Sequence, residues 1–237
     1  TTEDQPKPDE REKIYEKGLL KVIFSFPFLG GITSFVLTCV FLALGIFIVP
    51  LFIVFGYLYR LARSAAGGRS HPPEYGDWRG LIRDGFLVFV TLIPVVTISV
   101  VTTYGLLSVS HIILLNSVTV IQLYLSVALL LTFIGKGSVR ATYAGGEFIK
   151  TAFTFSCLKI FLLLIGLGIV FNVAFLLAAV MTGLTLVGIL LIPFLAIASY
   201  GLLLTLSHTL LGYMYRQEIQ SGNLPELQNS DKLGASF

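Results

Sequence analysis

The sequence predicts an all-α fold, a polytopic bundle of transmembrane helices. Three observations predict it. Hydrophobic residues make up 55% of the 237, charged residues only 12%, and the mean hydropathy is +0.88. A soluble domain ordinarily carries about 25% charged residues. The charges are also bunched: no Asp, Glu, Lys or Arg occurs from Val22 to Tyr59, from Gly85 to Gly135, or from Ile160 to Tyr215. Each of these runs exceeds the roughly 20 apolar residues that one helix needs to cross a bilayer. This distribution excludes an ordinary soluble enzyme and a disordered chain. The net charge of +3, from 16 basic and 13 acidic residues, carries no nucleic-acid signature.

The runs define three membrane blocks, 22–59, 85–134 and 157–215, within one transmembrane domain at 22–216. A tail at 1–21 precedes it and a polar tail at 217–237 follows. Blocks two and three are each too long for one helix, so each predicts a hairpin. The turn of block two is placed between Ser108 and Ser117, where Ser110, His111 and Asn116 cluster; that of block three falls at Thr182, Gly183 and Thr185. Block one is long for one helix and short for two, and charge arbitrates. Basic residues follow block one (Arg60, Arg63, Arg69, Arg79, Arg83), block two (Lys136, Arg140, Lys150, Lys159) and the last helix (Arg216). Basic loops mark the cytoplasm. The tail carries Lys7, Arg11, Lys13, Lys17 and Lys21, so a short or re-entrant hairpin in block one puts it on that side too. The expectation is three helical hairpins, five or six membrane segments, in the cell membrane with both termini cytoplasmic. The alternative is five spans with the N-terminus outside. Thr1–Lys21 lacks the features of a signal peptide.

Two amphipathic interfacial helices are expected besides the spans. At 100° per residue Ile14, Tyr15, Gly18, Leu19, Val22 and Phe26 share one arc, with Lys13, Lys17 and Lys21 in a separate stripe. Those lysines can meet anionic head groups on the cytoplasmic side. The second helix is Asp77 to Phe86, with Asp77 as N-cap, Trp78, Leu81, Ile82, Gly85 and Phe86 on one face and Arg79 and Arg83 on the other. Trp78 belongs at headgroup level.

Catalytic chemistry is not legible. The blocks hold no carboxylate, which disfavours ion-coupled transport. No HExxH, paired-acid or complete phosphate-loop motif appears; Gly135-Lys136-Gly137-Ser138 reads as a flexible positive loop. No cofactor or metal is expected, and Cys39 and Cys157 read as small apolar residues. The strongest polar groups within the blocks are Gln122, Asn172 and His208, read as helix-to-helix hydrogen bonds or, alternatively, as the lining of a solute path. Pro27, Pro50, Pro94 and Pro193 are architectural.

One phrase recurs. Block one ends Gly56-Tyr57-Leu58-Tyr59-Arg60, and block three ends Gly212-Tyr213-Met214-Tyr215-Arg216. Tyr57, Arg60, Arg63, Tyr213 and Arg216 are read as interface anchors. Gly56-Tyr57-Leu58 with Arg60 and Arg63, then Pro73-Glu74, Asp77-Trp78 and Asp84-Gly85, resembles an uncharacterised family of multi-pass membrane proteins common in archaea, domain of unknown function 4013. The resemblance covers residues 45 to 90. It implies the membrane class and an archaeal source, and it transfers no activity and no catalytic residue. The functional expectation is a non-enzymatic accessory or scaffold subunit, or a lipid-interacting protein, whose partners are membrane lipids and other membrane subunits or itself. The alternative is a permease or channel for a neutral or apolar solute.

Overall fold

A computed structural model describes residues 19–29, 31–45, 47–69, 71–107, 112–184, 186–225 and 227. The fold is an all-α bundle, with no strand among the described residues. In chain order the helices are α1 (Leu19–Ser25), α2 (Thr33–Ala43), α3 (Ile48–Ala66), α4 (Trp78–Leu107), α5 (Ile112–Lys136), α6 (Val139–Tyr143), α7 (Glu147–Ala152), α8 (Phe155–Gly183) and α9 (Leu186–Gln220). Short 3₁₀ turns lie at Phe26–Phe28 and Ala144–Gly146. Among the described residues five helices, α3, α4, α5, α8 and α9, are long and apolar enough to cross a membrane. Blocks two and three each fold as two long helices.

Block one folds as a short helix, α2, followed by α3, and the two pack together. At 1.5 Å per residue the 11 residues of α2 extend about 16 Å, half a hydrocarbon core. α3 runs antiparallel to α4: Phe52 packs edge-on against Phe86 and Phe89, and Gly56 lies against Leu81 and Gly85. Ile48, the first residue of α3, therefore falls near residue 90 of α4. About 17 further residues of α4, roughly 25 Å, run on past the α2–α3 turn. The hairpin is shallow relative to its neighbour.

The core is concentrated where α3 meets α4, α5 and α9. In the most apolar stretch of each helix, 56% of Ile48–Ala66 and 50% of Ser117–Lys136 are buried, against 11% of Phe155–Gly183 and 17% of Ile189–Gln220. Leu58, Leu61 and Ala62 of α3, Leu131 of α5 and Leu206 of α9 have no solvent-accessible surface. α8 packs on α9 along its length and meets the rest of the bundle mainly through its first turns, where Cys157, Ile160 and Phe161 are buried. Pro94 and Pro193 sit inside α4 and α9, and Pro50 in the first turn of α3. In that first turn proline removes no helical hydrogen bond.

Some expectations meet a different outcome. Asp77 to Phe86 is not a separate interfacial helix but the start of the 30-residue α4. Its apolar face is covered by protein only in part: Leu81 and Gly85 pack on α3, while Trp78 and Phe86 stay exposed. Gly135–Ser138 is not a flexible loop. Gly137, with φ of +70°, ends α5, and the Ser138 hydroxyl accepts from the Ala141 amide to cap α6. The last helix continues four residues into the region read as a polar tail, to Gln220. The first interfacial helix lies outside the described residues except for α1. There Lys21 is exposed and Ile23 buried, and Phe26, in the 3₁₀ turn that follows, is buried too. Of the predicted turn of block two, Ser108 to Ser117, residues 108–111 also lie outside, and residues 112–117 are not a turn but the first residues of α5.

Candidate functional site at the basic end of the bundle

The three basic segments meet at one end of the bundle, and glycines make the meeting close. A Cβ on Gly56 would lie 1.9 Å from the Leu81 carbonyl oxygen, and one on Gly85 would lie 1.8 Å from that of Phe52. This contact sets Arg60, one turn beyond Gly56, beside the start of α4. Its Nε donates to Asp84 at 2.6 Å and its Nη2 to Asp77 at 3.1 Å. Asp77 is the N-cap the sequence predicts: its Oδ1 accepts from the Gly80 amide at 3.0 Å. That bond, and then the Arg60 guanidinium, hold its carboxyl below the usual range.

The two copies of the repeated phrase stand side by side. A Cβ on Gly212 would lie 2.0 Å from the Ala62 carbonyl, so α9 runs against α3 near the end of both. Tyr57 is buried and stacked on Tyr75 at 4.1 Å, and Tyr213 is buried edge-on to Phe26. Tyr59 lies against Phe133 and accepts from Arg63 at 2.8 Å. Tyr215 donates to the Pro225 carbonyl at 2.9 Å, and its hydroxyl occupies the space a Cβ on Gly135 would need. Arg216 lies over Gly68, whose φ of +69° suits glycine. All four tyrosines thus join protein elements to one another. Trp78 is half exposed and packs on Phe41 and Tyr75; Arg79 and Arg83 are exposed. Lys13 and Lys17 lie outside the described residues.

Sequence reading missed two groups here. Tyr75, between two helices, bonds Thr38 of α2 at 2.6 Å, and burial raises its hydroxyl pKa. Glu218 is buried and accepts from Ser156 at 2.6 Å and Asn223 at 2.8 Å, with Lys159 at 3.5 Å. A glutamate just past an apolar block carries no mark of burial; only the packing of α8 on α9 covers it.

Beside this network lies a cavity of about 290 Å³, bounded by the end of α5, α7, the start of α8 and the turn after α9. Lys136 and Lys150 line it with Glu147 between them, at 3.4 and 2.9 Å. The Lys150 bond first, and then the Lys136 charge, hold the Glu147 carboxyl below its usual range. Hydroxyl-bearing Thr132, Thr151 and Thr154 complete that wall. No group of three metal-ligating side chains occurs among the described residues.

The polar residues inside the blocks do not converge. Gln122 donates to Thr102 of α4 at 2.8 Å. Asn172 is exposed and donates to Gly168 of its own helix; His208 bonds Leu204 of its own helix. No hydrogen bond joins any two of the three. Family models, curated proteins and solved structures give no match to this chain.

Proposed function

We propose that this integral membrane protein is non-enzymatic and works by packing, as an accessory or scaffold subunit that holds lipid and a second membrane protein. One observation carries the reading. α8 and the first half of α9 form a long, strongly apolar pair that the other described residues leave uncovered, with Ile169, Val170, Val173, Leu176, Val180 and Phe194 all more than half exposed. Scaffolds need such a face, and apolar surface of this extent must meet lipid or a partner. The basic end then faces the cytoplasm of the cell membrane, by the charge rule, with both termini on that side. A solute path would need Gln122, Asn172 and His208 on one cavity, and each is satisfied elsewhere.

Gentle-detergent purification followed by native mass measurement tests this. The reading requires a co-purifying membrane protein or retained lipid. A monodisperse monomer stripped of both, still stable, overturns it.

A further inference from the structure

We infer that the cavity at the end of α5 is a binding site for the anionic phosphodiester headgroup of a membrane lipid. The inference rests on the lipid-holding part of the reading above and supplies its site and ligand class. Lys136, Glu147 and Lys150 give the wall a net charge of one positive unit, the complement of one phosphodiester. Lys150 is 71% exposed and Lys136 19% exposed, and each ammonium meets Glu147 once, which leaves N–H donors on both for a ligand. Thr151 and Thr154 also line the cavity, but their hydroxyls already donate to the Glu147 and Thr151 carbonyls, so the lysine ammonium groups are the donors available to an anion. At about 290 Å³ the space matches the small end of ordinary ligand cavities, about 300 Å³, enough for a headgroup and too small for acyl chains.

The surroundings distinguish a lipid from a soluble phosphate ester. The segment from Glu147 to Phe155 that carries polar side chains to the cavity also carries Ile149, Phe153 and Phe155 outward, at 48%, 89% and 79% exposure. Apolar side chains displayed next to lysines belong at the headgroup–acyl boundary. Chains leaving the cavity find the uncovered apolar face of α8, beginning at Leu158 and Leu162. A soluble ester would use none of these groups.

The probes are nanodiscs of phosphatidylcholine alone or with phosphatidylglycerol, with glycerol 3-phosphate as a free competitor. The unaltered protein retains phosphatidylglycerol through purification and is stabilised by it. K136Q/K150Q lowers retention about tenfold or more, and R140Q, which removes an exposed charge outside the cavity, does not. K150Q alone, at an exposed position, gives an intermediate loss if the double variant fails to fold. Equal retention by the lysine variants and the unaltered protein overturns the site. Displacement of the lipid by millimolar glycerol 3-phosphate assigns the cavity to a soluble ester and overturns the lipid source. Loss of the site while a membrane partner still co-purifies leaves the scaffold reading standing, so the two fail separately.

Discussion

Gly56 and Gly85 meet across the α3–α4 crossing with no room for a side chain on either. The backbone nitrogen of each lies about 3 Å from where the other would carry its Cβ, and a backbone carbonyl lies closer still. Backbone cannot rotate aside as a flexible side chain can. G56A or G85A therefore forces the helices apart and costs about 1–3 kcal/mol, the range for overpacked cores. Reversible unfolding in mixed micelles measures it. A smaller effect is expected for Gly166, where a Cβ meets open space.

Acid weakens the start of α4. The folded-state pKa of Asp77 is lowered, so its contribution is fully present above the unfolded value of about 3.9. The contribution is lost as pH falls through the folded value. D77N keeps an N-cap acceptor and removes this titration. The pH profile of the unfolding midpoint should flatten on the acid side in D77N and stay steeper in the unaltered protein. Identical profiles would show that Asp77 is uncoupled from folding.

Glu218 ties α9 to α8. E218A leaves the buried Ser156 hydroxyl without its acceptor, at a cost of about 1–3 kcal/mol for the unmet donor, while the exposed Asn223 amide can turn to water. Lys159, half exposed, can turn to water. Protease accessibility of the α7–α8 junction should rise in the variant. Unchanged accessibility would mean that packing of Cys157, Ile160 and Phe161 alone holds the helices together.

Gln122 is a test of packing against transport. Its bond to Thr102 is one interhelical hydrogen bond, worth about 0.6 kcal/mol in a membrane. Q122L should lose about that much stability and leave partner or lipid retention unchanged. If Q122L instead abolishes uptake of a solute into proteoliposomes while its stability holds, Gln122 lines a path and the packing reading falls.

Much of the fold is legible from charge alone. The gaps without Asp, Glu, Lys or Arg mark the membrane blocks because a formal charge is costly inside a bilayer. Gly183 and Thr182 mark the end of α8, and Asp77 marks the start of α4. The site was less legible. Arg60, Arg63 and Arg216 stand out by position, but their partners lie tens of residues away: Asp84 and Asp77 for Arg60, Gly137 beside Arg63, Gly68 beneath Arg216. Tyr57 and Tyr213 carry the signature of interface anchors, and a tyrosine's own chemistry does not tell a lipid neighbour from a protein one.

By itself the sequence determined that this is a helical membrane protein and where its long apolar helices run, because the solvent imposes a length and a polarity on every span. Only the tertiary structure decided how far along α4 the first hairpin reaches, which glycines are contact points, and that Lys136, Glu147 and Lys150 share a cavity. These are distances between segments far apart in the chain. They follow from helix crossing geometry, which apolar composition constrains weakly because lipid and protein interiors are equally apolar.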